Sequence, residues 1–528
     1  MTGPQRITLL AAISGTFVVG VDSTVVNVAL PAIEDSLGGG LAGQQWVVNA
    51  YLLMLGSLIL IGGSLGDLYG ERRVFMIGVA GFGAVSLICA LAPSIEVLIV
   101  GRGLQGAFGA LLTPGSLALL VAAFGPDERG AAIGSWTAWS GIAFIIGPLV
   151  GGQLVDALSW RAIFFVNVPF VLATLALATR IEVGRERRRD ARVDVVGAIL
   201  CALGLAGPVL ALIEQPQRGW DDPLIVGAGL GGLVLLGCFT LWEARSAHPM
   251  VDLALFRRRN FAVGNLLTLS MYAGLGVVFF LLILYLQQVG GYEATEAGLA
   301  SVPASLVMFL LSRRFGALAD RIGPRPLMGF GPLVAAAGLV WLSRLSPDPE
   351  FATDVLPPLL LFSVGLSMTV APLTAAVLAD ADEGNAGIAS AINNAIARVA
   401  ALLATAAIGA AVAAQFSSAL DERLQGVNLD PSESAIVAQA RERSLGTVDA
   451  ASLPPAERAQ LREATAESSQ AAFRLGLEIA AGLVALSGVV ALVGIRRPHE
   501  PCFAADCAGG QLAGAPLEAA REPAGAPA

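Results

Sequence analysis

Apolar residues come in blocks along this chain. Fourteen stretches are each long enough, at about 20 mostly apolar residues, for a helix to cross a hydrocarbon core. They fall at Ile7–Leu30, Gln45–Leu65, Val74–Ala92, Val97–Leu120, Ala131–Leu154, Ile163–Thr179 and Val195–Ile213. The series continues with Leu224–Leu241, Val263–Tyr285, Ala297–Leu318, Leu327–Leu342, Leu356–Ala379, Gly387–Ala411 and Phe473–Val493. The pattern predicts an all-α membrane protein. Two segments break the rhythm. Residues 415–472 are polar and charged, with Ala456–Ala472 patterned as a surface helix, and 498–528 are Ala/Pro/Gly-rich and read as a disordered tail.

The short loops set an orientation, because arginine concentrates in cytoplasmic ones. Loops after even-numbered stretches carry it: Arg72 and Arg73, then Arg180 to Arg192, Arg257 to Arg259, Arg321 and Arg325, and finally Arg496 and Arg497. Loops after odd-numbered stretches carry acids instead, such as Glu34, Asp35 and Glu96. Both termini are expected in the cytoplasm of an inner-membrane, multi-pass protein, with 415–472 outside. The loop bearing Asp380, Asp382 and Glu383 dissents, but acids count little in this rule.

Composition sharpens this picture. Only 14% of the 528 residues are charged, 55% are hydrophobic, and the mean hydropathy is +0.72. A net charge of −9 without a basic, aromatic-rich patch argues against a nucleic-acid partner. All 32 basic residues are arginine. Without lysine there is no GxxxxGK[ST] phosphate loop, so this chain does not itself hydrolyse ATP for transport, and no Schiff-base cofactor can form. The two histidines, His248 and His499, lie in cytoplasmic segments, so no metal site, no cofactor and no membrane-embedded enzyme are expected.

The chain also repeats itself. Gly63-Ser-Leu-Gly-Asp67-Leu-Tyr-Gly70-Glu-Arg72-Arg73 follows the second stretch, and Gly316-Ala-Leu-Ala-Asp320-Arg321-Ile-Gly323-Pro-Arg325 follows the tenth. A shared G-x-L-small-D-x-x-G-x-R at matching helix ends points to two duplicated halves. This divides the chain into a six-helix bundle over 1–180, two linking helices over 181–260, and a second six-helix bundle over 261–497.

Four motifs in order carry a resemblance. Val21-Asp22-Ser-Thr-Val-Val-Asn27-Val-Ala-Leu-Pro31 and the Gly63–Arg73 loop come first. Leu98-Ile-Val-Gly-Arg102-Gly-Leu-Gln105-Gly106 and Gly147-Pro148-Leu-Val-Gly151-Gly152 follow. Together they resemble the fourteen-span drug:proton antiporters of the major facilitator superfamily, over nearly the whole chain. The resemblance departs at Leu68 and Glu71, where the family usually has basic residues, and at Ala143, where it usually has glycine. It implies a monomeric transporter that exchanges protons for a small apolar or amphipathic cargo by alternating access. Proton-coupled metabolite uptake and a membrane-embedded sensor are the competing readings.

Roles follow residue by residue. An acid inside a span is costly, so Asp22 is either a proton carrier or a hydrogen-bonded structural group. Arg102 cannot titrate and either holds a carboxylate ionised or makes a fixed ion pair. Counting ~1.5 Å per residue from the outer helix ends puts Asp22 at roughly 12 Å and Arg102 at roughly 8 Å depth. The two are therefore expected in one polar cluster, with Asn27 and Gln105 in support. Asp67, Arg72, Arg73, Asp320 and Arg321 form the expected latch between halves. Gly147, Pro148, Gly151 and Gly152 allow close backbone approach. Asn394 and Arg398, four apart, share a face as an internal pair or cargo contact. Trp136 and Trp139 read as an interface belt or a stacking surface for cargo.

Overall fold

A computed structural model describes residues 1–181, 193–379, 386–425, 431–442, 445–446 and 453–495. Among them every regular element is a helix. The first group is α1 (Gly3–Leu37), α2 (Gly40–Tyr69), α3 (Glu71–Ala90), α4 (Ile95–Ala123), α5 (Pro126–Ala157), α6 (Ala162–Phe165) and α7 (Asn167–Ala178). Next come α8 (Val195–Arg218) and α9 (Pro223–Arg245). The last group is α10 (Arg259–Gln288), α11 (Ala294–Ala300), α12 (Val302–Ile322), α13 (Pro324–Leu342), α14 (Leu356–Ala379), α15 (Ala386–Arg423), α16 (Pro431–Glu442) and α17 (Pro455–Gly494).

Among the described residues, thirteen helices are long and apolar enough to cross a membrane. The remaining expected stretch, Ile163–Thr179, is broken into α6 and α7, a shorter apolar run over Ala162–Ala178. Pro169 explains the break: it offers no N–H to the carbonyl of Phe165, where α6 ends, and its ring crowds that carbonyl. The last two expected stretches were too short. α15 runs on to Arg423, and α17 begins at Pro455, so both helices extend into the polar segment 415–472. Helices outside lipid need no apolar run, only pairing of their charges. Here Arg423 bonds Glu467 at 2.9 Å and Arg441 bonds Asp421 at 2.5 Å. The expected disordered tail, Asp380, Asp382, Glu383 and the arginines from Arg185 to Arg192 lie outside the described residues.

Packing joins α1 to α5 and α7, and α4 to α2 and α3; in the last group α17 and α14 pack on α13, and α15 and α17 on α10. The α2–α4 seam is tight because Gly62 and Gly106 sit there. A Cβ on Gly106 would strike the backbone carbonyl of Tyr51, and one on Gly62 that of Ala110. The two groups meet where α2 packs on α15, α5 on α11 and α1 on α10. α8 lies against both α2 and α15, and α9 packs on α8.

The duplicated loop has duplicated geometry. Gly70 (φ +97°) and Gly323 (φ +88°) both take a left-handed turn that a side chain would disfavour. Two residues later, Arg72 donates from Nε to the carbonyl of Ala178 (2.9 Å) and from its second terminal nitrogen to Thr179 (2.5 Å). Its counterpart Arg325 donates to the carbonyl of Leu492 (2.7 Å). Each arginine thus caps C-terminal carbonyls, Arg72 those at the end of α7 and Arg325 one near the end of α17, where a cation suits the helix dipole. The expected use of Arg72 as a latch to the other half is not made here. Asp67, Arg73 and Arg321 are exposed, and the Asp320 side chain lies outside the described ones.

Candidate functional site

The first four helices and α7 converge on a fully buried carboxylate. Asp22, on α1, is 0% exposed and Arg102, on α4, is 1% exposed. Arg102 donates one terminal N–H to Asp22 Oδ2 at 2.6 Å and another from the same nitrogen to Gln105 Oε1 at 2.7 Å. Gln105 sits three residues on, hence on the same face of α4. Its amide nitrogen donates to Asp22 Oδ1 (3.0 Å) and to Ser86 Oγ of α3 (2.8 Å). Asn167, at the start of α7, donates likewise to Asp22 Oδ1 (2.8 Å) and Ser86 Oγ (3.2 Å). Three N–H groups, from Arg102, Gln105 and Asn167, thus converge on one carboxylate.

Arg102 is itself fixed from two sides. Its Nε donates to the carbonyl of Val47 on α2 (3.2 Å), and its guanidinium lies over the Tyr51 ring at 4.3 Å. The planar fork is used at both edges and one face, which lysine cannot reproduce. Chemically, the cluster is one titratable acid whose counter-ion cannot titrate.

The structure brings Asp22, Arg102 and Gln105 together and leaves Asn27 out. The Oδ1 of Asn27 is buried with no hydrogen-bond partner. Asn167, Ser86 and Tyr51 complete the cluster and were not anticipated; for Asn167 the signal was a polar residue two before a proline in an apolar stretch. Asn394 and Arg398 do not pair. Asn394 donates to the carbonyl of Ser390 (3.0 Å), whereas its neighbour Asn393 bridges to Asn265 (3.0 Å) and Thr268 (2.7 Å) on α10. Trp136 turns inward to Thr16 Oγ1 (2.8 Å), and Trp139 is exposed.

The glycine motif lies between helices, and partly between the two groups. Gly147 faces Thr24 and Gly151 faces Val25 on α1, while Gly152 meets Ala294 and Thr295 of α11 so closely that any side chain would clash. Gly298 of α11 in turn sits on Pro148. One turn past Gly152, Asp156 accepts from the backbone N–H groups of Ala294 (3.2 Å) and Thr295 (2.8 Å), capping the first turn of α11. Beside it, Gln287 donates to the carbonyl of Val28 (3.0 Å), and Gln288 to Glu34 (3.1 Å), which Gln44 also bonds. These contacts border an open cavity of about 250 Å³ lined by Glu34, Asp35, Asp156, Gln287, Gln288 and Tyr292 among others.

Comparison with known proteins agrees with this architecture. The tetracenomycin C resistance and export protein of Streptomyces glaucescens is 33% identical over 94% of this chain and 92% of its own length. The cephamycin export protein CmcT of Amycolatopsis lactamdurans is 37% identical over 74% of this chain and 82% of its own. A solved bacterial homolog of the human lysosomal transporter Spinster, inward-facing and unoccupied, superposes with a TM-score of 0.63. It is 16% identical and covers 94% of this chain and 100% of its own, a likeness of fold. The model of the Major Facilitator Superfamily matches residues 12–405, and the chain belongs to that superfamily.

Proposed function

We propose that this protein is a proton-driven exporter of a small apolar or amphipathic compound, of the fourteen-span drug:proton antiporter type. The observation that carries the reading is Asp22, a buried acid tied to an arginine that cannot take its proton. Relatives named for antibiotic export and resistance support the direction of transport. The fourteenth crossing is Ala162–Ala178, and residues 1–180 and 261–497 are the two six-helix bundles, with α8 and α9 as the linking pair. Both termini are cytoplasmic, in the inner membrane, and the monomer is the working unit.

In this reading a proton reaching Asp22 neutralises it and frees Arg102, Gln105 and Asn167 from their shared anion. The five helices that meet there can then shift together. Loss of the proton to the other side resets the cluster. Gly147, Pro148, Gly151 and Gly152 seal α5 against α1 and α11, so no proton leaks past.

The contacts around Asp156 are then an outer gate in its closed state. Asp156→Ala leaves the first N–H groups of α11 without their acceptor, at a cost of about 0.5–2 kcal/mol to the closed form. Two-state populations shift by about 2- to 30-fold toward outward-open. Labelling of Ala32→Cys by an impermeant maleimide should rise accordingly; unchanged labelling would reject the gate.

The function itself is tested in inside-out vesicles. A transported drug should enter the lumen only when the lumen is acidic, and its addition should release lumenal protons. Drug entry insensitive to a protonophore would sink proton coupling. Faster cargo uptake into intact cells on acidifying the medium would establish the uptake reading instead.

A further inference from the structure

A second carboxyl group is buried in the linking pair, apart from the Asp22 cluster. Glu243, near the C-terminal end of α9, is 3% exposed, and its Oε1 has no hydrogen-bond partner. Its Oε2 accepts the backbone N–H of Val251 at 2.9 Å, in the connector that leads to α10. Facing it is Asp194, the N-cap of α8, whose Oδ1 accepts from the N–H of Gly197 at 2.8 Å. Trp242 donates from Nε1, which lies 2.9 Å from each Asp194 oxygen. Glu243 Oε1 and Asp194 Oδ2 meet over Gly197: a Cβ built there would lie 2.6 Å from the first and 2.7 Å from the second. Only a glycine leaves room for both carboxyls.

No cation offsets them. Among the described residues the ion pairs of α8 and α9 are those of Arg218 with Glu214 and Asp222, at the opposite ends of these helices. The titratable groups within reach of Glu243 are Asp194 and Cys201, one turn past Gly197 on α8, and neither brings positive charge. Arg245 and His248 follow on the chain, but neither bonds either carboxyl. Two carboxylates held together without a cation cannot both stay ionised. The hydrogen bonds decide which one keeps the proton. Asp194 already receives two N–H donors, which favour its charged form, whereas Glu243 Oε1 receives none. A hydroxyl on Oε1 aimed at Asp194 Oδ2 gives that buried oxygen its partner.

We propose that Glu243 and Asp194 form a second proton-binding site, in which one proton on Glu243 Oε1 is donated to Asp194 Oδ2. The proton clasps the start of α8 to the end of α9 and, through Val251, to the connector into α10. Its loss leaves two like charges in contact and drives the clasp apart. α8 carries the consequence inward. Its Leu205, Val209 and Ile213 pack with Leu53 of α2 and with Leu402 and Ala406 of α15, one helix from each half. An alkaline cytoplasm thus loosens the linking pair where it touches both halves. The word cytoplasm rests on the orientation proposed above; the proton site itself does not.

The test is infrared difference spectroscopy of the full chain in lipid nanodiscs. Raising the pH from about 6, where ordinary side-chain carboxyls are already ionised, to about 9 should remove a protonated-carboxyl band. Glu243→Gln should lack that band, and Asp22→Asn should keep it. Asp194→Asn should lose it at a lower pH, because the amide removes the like charge and can itself donate to Glu243. Stability gives a second readout. A proton held by the folded state and not by the unfolded one makes the thermal midpoint fall as pH rises over this range. Glu243→Gln, whose amide can still reach Asp194, should flatten that fall, and its midpoint also reports that the variant is folded. Absence of the band from the unaltered protein, its survival in Glu243→Gln, or its loss in Asp22→Asn would overturn the inference. Displacement of the band by sodium or calcium ions would put a metal between the carboxylates and overturn it as well. The measurement uses neither gradient nor cargo, so its failure leaves the export reading standing, and a failed vesicle experiment leaves this site standing.

Discussion

Asp22→Asn should reduce drug accumulation driven by a pH gradient at least a hundredfold while leaving exchange of labelled for unlabelled drug intact. Asparagine keeps the shape of the side chain, and its carbonyl oxygen still accepts from Arg102, now at 2.6 Å from Asp22. What it loses is the capacity to bind and release a proton, together with the charge that Arg102, Gln105 and Asn167 share. Exchange needs only that the loaded carrier reorient, which a permanently neutral side chain permits. Net pumping needs the empty carrier to return with a different protonation state. The comparison is made in one preparation of vesicles, so loss of both activities would mean that Asp22 is structural. Retention of gradient-driven accumulation would place the proton carrier at another residue.

The cluster was partly legible in the sequence, for a geometrical reason. Helices rise at a constant rate, so depth can be counted along them, and two costly charges in one layer of a bundle seek each other. The same constant rotation explains both the success at Gln105 and the failure at Asn27. A residue three positions from Arg102 returns to within about 60° of its direction, whereas five positions from Asp22 is about 140° away. Asn167, Ser86 and Tyr51 come from other helices. Their arrival depends on helix rotation, which apolar runs without a polar face leave unspecified. The break at Pro169 sets that rotation for α7 and puts Asn167 at the turn. The loop motif shows a different limit. Its repetition is legible in the sequence, yet the carbonyls that Arg72 and Arg325 cap lie 106 and 167 positions away. No local pattern names them. The extent of α15 and α17 was hidden because hydropathy marks lipid thickness and says nothing of where a helix ends in water.

Arg102→Gln should be the more damaging of the paired substitutions, and the reason is what it leaves behind. Glutamine can still donate one hydrogen bond, but the 0%-exposed carboxylate of Asp22 then has no cation near it. Removing one partner of a buried ion pair costs about 3–5 kcal/mol, chiefly through the stranded charge. The loss should be seen as a marked drop in the thermal unfolding midpoint in detergent and in yield from the membrane. Arg102→Lys should recover only part of it, because an ammonium cannot reach Asp22 and Gln105 while also meeting the Val47 carbonyl and lying flat on Tyr51. The double variant Asp22→Asn with Arg102→Gln removes both charges and should regain most of the stability, since neutral amides of similar shape can hydrogen-bond each other. It should still fail to pump. That combination separates the two parts played by the pair, stability belonging to charge balance and pumping to the titratable acid. If the double variant is as unstable as Arg102→Gln, the cost lies in the lost stacking and packing of the guanidinium. If Arg102→Gln is as stable as the unaltered protein, Asp22 must take up its proton when the arginine leaves, and the midpoint of Arg102→Gln should then fall as pH is raised.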